Sequence, residues 1–503
     1  MIVAKLTLVT DAIGTTTTVL FCDGPGFTTG PSDTPAETEC ENRLLSAGEF
    51  TREMFAGQAV GGPVRAGFGV IELGNGDGRL DVWRTYGVDG QEIVLSYGDE
   101  GSAYPSGFTE VFRARMLRLE MSLRSVRVRL RDRLDEFDVP ICTEVYGGTG
   151  GVDGTTVMAG RYKPVGYGHV FNARPVLVDP SILLYQMGSA YETSTLDQLV
   201  RDGGAVLSNG AAYSSLSDLL TGSSPSSGQA RHYAPAGMFR LGSASVYEVT
   251  ADRKFHDTTG SVASHIIEQM ALDAGVDAGD ITTVSTLGLT AGYYCQGDGT
   301  TFLQAMARVA EGSGLYFGWT RAGAFEIAQL TDPSGETPAL TFDRHNILAI
   351  ERSTPPGFEV PAWRVRLNWR KNWRTMSGAL SGTLSAADRD ALRVEHFQIE
   401  SADSAILDKH PRAITIERDS YGLNLATFTA PSTEATRVLN LFKEDRDLLV
   451  IEAAMSTDTL ALDLGSFVEV QLARLGFDAG KVFVVVSLTI NLRTRRMTFG
   501  LWG

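Results

Sequence analysis

The sequence contains few cysteines, and none of them is arranged as in a typical metal site. The four, Cys22, Cys40, Cys142 and Cys295, lie far apart and form no CxxC pair. Closely spaced cysteine pairs are the usual mark of structural zinc sites. We therefore expect buried, reduced thiols in a protein made in the cytosol. A metal or iron–sulfur site built from all four would require the fold to gather distant positions.

Catalytic motifs are missing as well. The seven histidines contain no HxH and no HExxH spacing, no glycine-rich loop ends in Gly-Lys-Ser/Thr, and there is no GxSxG. Around Asn75-Gly76-Asp77-Gly78 the chain resembles a calcium loop, but Leu73 and Arg84 occupy its first and twelfth ligand positions, which predicts a solvated turn. These absences predict no cofactor, no metal and no enzymatic activity. A pair of catalytic carboxylates among the 60 acidic residues would leave no sequence pattern.

Long apolar runs and a basic balance are also lacking. No run approaches eighteen apolar residues, so we expect no stable membrane insertion. The first nine residues alternate like a strand and are too short and polar for a signal segment. The net charge of −16 argues against a general nucleic-acid binder, because phosphate contacts need a basic surface. It would suit a channel wall past which DNA slides in transit.

What the sequence does contain is the pattern of a mainly β protein with a smaller α/β part. With 503 residues, 43% of them hydrophobic, the chain is long enough for several domains. Apolar residues alternate with polar ones in Ser466–Leu472, Lys481–Leu492 and Met497–Leu501. Three such segments in close succession predict a meander in a half-buried sheet or small barrel.

Changes in composition predict four domains. Residues 1–140 form a β-rich N-terminal domain, and residues 141–244 form a β segment rich in glycine and serine. An α/β insert at 245–345 contains a helix at Ser261–Ala274, a second helix capped by Thr301, and a hairpin at Leu315–Leu330. A barrel-like C-terminal domain at 346–503 includes a helix at 432–446.

One predicted strand, Ser125–Leu134, is unusually basic. Its apolar side chains alternate with Arg127, Arg129, Arg131 and Arg133, which would share the opposite face. Such a face could contact phosphate, or it could pair with acidic neighbours or with another subunit of this acidic chain.

A second basic segment carries tryptophans. Trp363, Trp369 and Trp373 are interspersed with arginines and a lysine. They could form a stacking platform for sugars or bases, or they could pack at a domain or subunit interface.

The order of several glycine-rich segments resembles tail-tip proteins of long-tailed bacteriophages, prophages and gene transfer agents. The segments in the first half of the chain are Gly26–Pro35, Tyr146–Gly154, Gly160–Gly168 and Pro175–Gln186. Those in the second half, similar to baseplate hub proteins, are Gln296–Gln304, Gly314–Phe317, Leu464–Val470, Gly480–Phe483 and Gly500–Gly503.

This resemblance implies a structural hub subunit in the baseplate at the tail tip of the virion, assembled in the host cytoplasm. In that family three copies form a ring, and each copy carries two tail-tube-like β-barrel domains with inserted domains. The implied partners are two further copies of the chain, a distal tail or tail tube protein, the tape measure protein and a central fibre or tip protein. The alternatives are a receptor- or carbohydrate-binding tail module and a tail-associated cell-wall-degrading enzyme. The sequence leaves open whether the two β regions are duplicates.

Overall fold

The predicted mainly β, multidomain architecture is confirmed. The computed structural model describes residues 1–54, 61–188, 199–255, 261–353, 360–422 and 429–503. Strands account for 41% of the residues and helices for 17%. The domain boundaries at 140, 244 and 345 stay a prediction, and strand pairing crosses all three of them, as described below.

The described residues of the first part of the chain form twelve strands. They are β1 (Ile2–Val9), β2 (Thr16–Cys22), β3 (Phe27–Thr28), β4 (Glu39–Asn42), β5 (Leu44–Ser46), β6 (Glu49–Glu53), β7 (Gly62–Pro63), β8 (Arg65–Phe68), β9 (Ile71–Gly74), β10 (Glu92–Gly98), β11 (Phe108–Met121) and β12 (Ser125–Arg131).

The middle of the chain mixes strands with helices. Its elements are β13 (Val165–Ala173), β14 (Val176–Asp179), β15 (Leu184–Gln186), β16 (Leu199–Asp202), β17 (Ala205–Val206), β18 (Ser208–Asn209), α1 (Leu216–Thr221), β19 (Gln229–Tyr233), β20 (Met238–Leu241), β21 (Val249–Phe255), α2 (Ala263–Asp273), β22 (Gly292–Cys295), α3 (Phe302–Ser313), β23 (Leu315–Trp319) and β24 (Phe325–Gln329).

The last part returns to strands around one longer helix. Its elements are β25 (Leu340–Phe342), β26 (Ile347–Ser353), β27 (Ala362–Trp369), α4 (Ala386–Arg393), β28 (Phe397–Ala402), α5 (Ile406–Lys409), β29 (Ile414–Asp419), α6 (Thr429–Phe442), β30 (Leu448–Ala454), α7 (Thr457–Leu460), β31 (Phe467–Val470), β32 (Lys481–Asn491) and β33 (Arg496–Trp502). Strand pairing crosses all three predicted domain boundaries: β6 pairs with β32, β13 with β21, and β25 with β31.

The N-terminal sheet closes on itself. Its strand order is β3-β4-β2-β1-β10-β11-β12-β9-β5. Strand β4 is parallel to β2 near one edge, and β5 is antiparallel to β9 at the other. Because only Arg43 separates β4 from β5, both ends of the sheet meet in one bent segment. The sheet therefore closes into a barrel, and closure leaves few unpaired backbone groups at its edges.

The C-terminal sheet closes by the same device. Its order is β25-β31-β32-β33-β30-β26. Strand β25 is parallel to β31 at one edge, and β26 is antiparallel to β30 at the other. Residues 343–346 connect β25 to β26 in a turn in which the Asp343 N–H donates to Asn346 Oδ1 (2.8 Å).

The two barrels share one topology. In chain order, β5, β9, β10, β11 and β12 correspond to β26, β30, β31, β32 and β33, and the spatial orders β10-β11-β12-β9-β5 and β31-β32-β33-β30-β26 are the same. In the first barrel the antiparallel pair β1–β2 lies between β10 and the closing segment, whereas in the second β31 pairs directly with β25. Because β1 and β2 are each antiparallel to the strand before them, β10 and β4 run in the same direction, as do β31 and β25. The two barrels therefore agree in strand direction as well as in strand order.

A short excursion of the chain joins the barrels. Strand β6, between β5 and β9 in sequence, is antiparallel to β32 of the second barrel, with Phe50 opposite Ile490. Strand β8 continues this sheet by pairing with β6. The buried apolar side chains of both barrels form one continuous cluster that extends from Ile2 to Trp502. The barrels therefore share a hydrophobic core. Burial of apolar surface is the dominant favourable contribution to such packing.

In the sequence, the insert and two five-stranded sheets lie between the strands of the two barrels. The sheets have the orders β17-β16-β21-β13-β22 and β14-β15-β20-β19-β18. Helices α2 and α3 pack against the β23–β24 hairpin, which was predicted and is confirmed. The predicted capping box is present: Thr301 Oγ1 accepts from the Gln304 N–H, and Gln304 Oε1 accepts from the Thr301 N–H. Helix α2 is shorter than predicted at both ends, and at its start Val262 pairs with Thr290 in a β-bridge instead of entering the helix.

Two local predictions were correct only in part. The helix predicted at 432–446 is Thr429–Phe442, because Pro431 is tolerated in a first turn, where its missing N–H has no intrahelical acceptor. Beyond its end, Arg446 Nε donates to the Leu441 carbonyl (3.0 Å). The turn at Asn75 is not simply solvated, since Asn75 is fully buried and its Oδ1 accepts from the Leu80 N–H (2.9 Å).

Candidate functional site

The basic strand predicted at Ser125–Leu134 is β12, on the wall of the first barrel. Val126 and Val128 point into the shared core and are fully buried. Arg127, Arg129 and Arg131 project from the opposite side, with 54%, 42% and 42% of their side chains exposed. We call these three residues the arginine face.

Acidic neighbours partly neutralise the arginine face. Arg127 pairs with Glu72 of β9 (3.3 Å) and Arg129 with Glu120 of β11 (3.1 Å). The pKa of Glu72 is lowered by the Ser125 hydroxyl and, to a smaller extent, by the Arg127 guanidinium. These contacts agree with pairing inside the chain, the second of the two interpretations drawn from sequence.

The surface is rich in arginine on two neighbouring strands, although Arg131 also pairs with Asp135 (3.7 Å) and Arg115 with Glu136 (3.9 Å). Across the β11–β12 ladder, Arg115 lies opposite Arg131 and Arg118 opposite Arg129, so basic residues occupy both strands. Arg118 is 67% exposed although it contacts Glu120 (3.0 Å). Like charges on neighbouring strands repel one another, and an acidic surface on another molecule would relieve that repulsion.

Arg133 does not belong to this face, and its assignment there was wrong. The strand ends at Arg131, and Asp132 caps a 3-10 turn at Arg133–Phe137 by accepting from the Leu134 N–H (3.1 Å). The turn directs Arg133 inward, over the ring of Trp319 at 3.2 Å. Its Nη1 donates to the Gly323 carbonyl (3.1 Å), and it pairs with Glu136. Arg133 therefore attaches the barrel to the insert.

The three tryptophans do not form a common surface. Trp369 is only 3% exposed and packs against Phe397. Trp363, six residues earlier on β27, is half-buried and is covered by the guanidinium of Arg364 at 4.4 Å. Their burial is typical of internal packing and does not provide a platform for a sugar or base.

The third tryptophan packs elsewhere. Trp373 makes an edge-to-face contact with Tyr293 (5.3 Å between centroids) and a tilted one with Tyr421 (5.8 Å). It lies between two of the buried clusters in the middle of the chain. Trp373 thus contributes to domain packing, as expected for an aromatic residue at an internal interface.

A buried ionic junction, which no sequence pattern predicts, connects the two barrels and the insert. Arg52 of β6 is 1% exposed and pairs with Asp463, in the segment between α7 and β31. Arg321, in the β23–β24 turn, donates from Nη1 to the carbonyls of Glu110 (2.9 Å) and Val111 (2.7 Å). The backbone N–H of Arg321 also donates to Asp463 Oδ2 (3.2 Å). The Asp463 carboxylate, in the second barrel, therefore contacts both Arg52 of β6 and Arg321 of the insert.

Burial shifts the pKa values of two charged groups at this junction, Arg321 and Glu326. Desolvation lowers the pKa of Arg321 and raises the pKa of Glu326 on β24, because the charged form of each group loses hydration. Nothing in the arrangement resembles a catalytic dyad. In the described ranges, no three His, Cys, Asp or Glu side chains lie close enough together to hold a metal ion. Within those ranges, too, no helix has the length and apolar character needed to cross a membrane.

Known proteins offer only distant similarities. No family model and no curated protein sequence matches the chain. Among solved structures, it is similar to the 43 kDa tail protein of prophage MuSo2 from Shewanella oneidensis (10% identity, 100% of this chain and 98% of that chain, TM-score 0.39). It is also similar to the tail protein from Neisseria meningitidis MC58 (10% identity, 93% of each chain, TM-score 0.40). A chain from the virion of a native gene transfer agent particle matches with 11% identity over 68% of this chain and 84% of that chain (TM-score 0.36).

Proposed function

We propose that this chain is a structural, non-enzymatic subunit of a phage-like tail, and that it acts as the baseplate hub at the tail tip. Three copies would form a ring that continues the tail tube channel and anchors the distal tail components. The distal tail or tail tube protein would contact one side of the ring, and a central fibre or tip protein the other. The tape measure protein and DNA would only pass through. Assembly would take place in the host cytoplasm before the virion is complete.

The observation that supports this proposal is the shared topology of the two barrels. Each chain has two barrels of equivalent strand order, so three copies around a threefold axis would present six. Such a ring has the pseudo-sixfold symmetry needed to meet a sixfold tube, which is the arrangement implied by the resemblance noted in the sequence. A repeated head-to-tail contact gives a closed ring when its rotation closes after a whole number of copies, as three copies at 120° would.

The arginine face is our proposed contact between subunits. The chain carries a net charge of −16, with 60 acidic and 44 basic side chains, so acidic groups outnumber basic ones on a second copy. A basic surface on an acidic chain is complementary to the remainder of a second copy, which favours association and fixes orientation. The same acidity in the lumen would let DNA slide, and neutralising lumen carboxylates should then slow DNA ejection.

The two alternatives have less support. A carbohydrate-binding module would need exposed aromatic rings, and the burial of Trp369 removes the platform suggested by sequence. A cell-wall-degrading enzyme would need a cleft with facing carboxylates or a bound metal, and no observation favours that function.

The deciding experiment is electron microscopy of the particle that contains this chain, reconstructed without imposed symmetry. Three copies in a ring coaxial with the tube are expected. A peripheral position away from the tube axis would overturn the hub assignment.

The subunit contact can be tested separately with the purified protein. Glutamate substitutions at Arg127, Arg129 and Arg131 should reduce the mass measured by light scattering from trimer to monomer. A matched variant that carries three glutamates at other exposed arginines tests for a general effect of charge. The control positions are Arg161, Arg344 and Arg412. Loss of the trimer in both variants, or in neither, would refute a specific role for the arginine face.

A further inference from the structure

The β11–β12 hairpin of the first barrel and the β32–β33 hairpin of the second have the same pairing register. Each ladder skips one residue in a β-bulge, Leu117 in the first hairpin and Val486 in the second. Aligning the two bulges makes Met121 of β11 equivalent to Ile490 of β32, and every pair between the bulge and the turn then matches. The two barrels can therefore be compared residue by residue along these strands.

The strand on the other side of each hairpin follows the same alignment and then reveals a difference. Pairing of β10 with β11 ends at Arg115, and pairing of β31 with β32 ends at the equivalent Val484. Beyond that point, residues 487–491 of β32 pair with β6. The equivalent residues 118–122 of the first barrel pair with β12 alone among the described strands. We call residues 118–122 the open edge.

Burial of the side chains reflects this difference. Ile490, which pairs with β6, is fully buried, whereas its equivalent Met121 is 37% exposed. Leu488 is also fully buried, whereas its equivalent Leu119 is only partly buried. The next residue beyond the open edge, Leu123 in the hairpin turn, is 94% exposed. Apolar side chains are thus uncovered in the first barrel where a strand covers them in the second, and uncovered apolar surface marks an interaction site.

The open edge also presents backbone donors. The Ser122 N–H donates to the Ser125 carbonyl across the hairpin (2.8 Å). Because alternate residues of a strand direct their N–H groups to the same side, those of Leu119 and Met121 point away from β12. Within the described ranges, no backbone carbonyl accepts a hydrogen bond from either of them. Such a row of donors is a template for pairing with another chain.

We propose that the open edge receives a strand from a second copy of this chain, as β32 receives β6 within one chain. Strand β6 lies between β5 and β9 of the first barrel. The equivalent strands of the second barrel are β26 and β30, since β5 and β26 carry equivalent bulges at Leu45 and Leu348. The donor is therefore part of residues 354–447, which connect β26 to β30 in the neighbouring copy. This mode of recognition is β-augmentation.

This inference rests on the ring proposed above and identifies how its subunits join. Each first barrel would hand a strand to the second barrel of its own chain, and each second barrel would hand one to the first barrel of the next chain. The same contact would then be repeated at all six boundaries between barrels. Arg118 of the open edge lies opposite Arg129 of the arginine face, so both proposed contacts belong to one interface.

The test replaces Met121 with the photo-cross-linker benzoylphenylalanine in the full-length protein. After irradiation, a denaturing gel should show a dimer-sized product, and mass spectrometry should identify the linked peptide within residues 354–447 of another copy. The matched control carries the cross-linker at Val206, an apolar residue of the edge strand β17 that is 55% exposed. The control should give several-fold less dimer.

A pair of variants at the same position tests the backbone pairing itself. Met121→Pro removes the outward N–H without touching the ladder to β12, whereas Met121→Val keeps that N–H. In light scattering, Met121→Pro should weaken trimer formation by about ten-fold, because a carbonyl of the neighbour is buried without its donor. Met121→Val should leave trimer formation unchanged, and circular dichroism reports whether each variant is folded.

The cross-linking result decides between the open edge and other contacts, whether or not the proline variant folds. A wild-type trimer in which position 121 links only to its own chain, or to other parts of a second copy, would refute this inference and leave the ring intact. Equal loss of trimer in Met121→Pro and Met121→Val would refute the backbone pairing. A wild-type protein that stays monomeric would instead count against the ring, and this inference would fail with it.

Discussion

Replacing Asp463 with alanine should destabilise the protein far more than replacing its partner Arg52 with methionine. The asymmetry follows from burial, since Arg52 is 1% exposed and the Asp463 side chain is 26% exposed. Without Asp463, a guanidinium stays in the core without the carboxylate that pairs with it. Without Arg52, the carboxylate keeps water and the N–H groups of Leu464 (2.8 Å) and Arg321 (3.2 Å).

The magnitudes differ enough to be measured. Leaving a buried charge unpaired costs about 3–5 kcal/mol, so Asp463→Ala should lose roughly that much of the free energy of unfolding. Arg52→Met removes one charge-assisted hydrogen bond and its partner remains hydrated, which costs about 1–3 kcal/mol. Asp463→Asn keeps an acceptor oxygen and should fall between the two variants.

The assay is equilibrium urea denaturation of the full chain, followed by tryptophan fluorescence. The exposed pair Lys409–Asp445 (2.8 Å, side chains 74% and 51% exposed) supplies the control, and Asp445→Ala should change stability by less than about 1 kcal/mol. If Arg52→Met were as damaging as Asp463→Ala, or if Asp463→Ala matched the control, the unpaired-charge argument would be wrong.

Three further outcomes are expected. Thr301→Ala removes the cap of helix α3 and should lower the free energy of unfolding by about 1 kcal/mol in urea titrations, whereas Thr301→Ser should retain most of it. Gly292→Ala should abolish soluble expression, because its Cβ would lie 1.7 Å from the His169 carbonyl oxygen, whereas Gly378→Ala, with nothing within 4 Å, should express normally. Burial raises the pKa of Glu326 above its ordinary 4.5, so the stability that its proton confers is present below that value and is lost as pH rises. Glu326→Gln should therefore have the higher thermal midpoint at pH 7, and the difference should disappear below about pH 4.5; an unchanged difference at low pH would contradict the assignment.

Local elements were largely predictable because their patterns lie within a few residues. Alternation identified β32 and β33, whose Leu488, Ile490, Phe499 and Leu501 are fully buried. The capping box at Thr301 marked the start of α3 within one residue. Errors appeared where a local pattern ended. Arginines alternate up to Arg133, but the strand stops at Arg131, because capping by Asp132 turns the chain.

The arginine face could be predicted in part. Of the four arginines predicted to share a face, Arg127, Arg129 and Arg131 do share one exposed surface, as period-two alternation requires of a strand. The tryptophan platform could not be assessed from sequence, since spacing does not reveal which face of β27 is covered. Phe397, more than two dozen positions further along the chain, decides that Trp369 is buried.

The sequence by itself determined the mainly β class, the strand periodicity, the capped helix and the scarcity of catalytic motifs, because each depends on neighbouring residues. Tertiary structure alone decided which edges pair. It placed β6 beside β32, united Arg52 with Asp463, and gathered Cys142 and Cys295 into one buried cluster. It also revealed that the two barrels repeat one strand order, which the sequence had left open. Such long-range contacts arise from packing and edge closure between distant segments, and neither requirement leaves a periodic pattern in the chain.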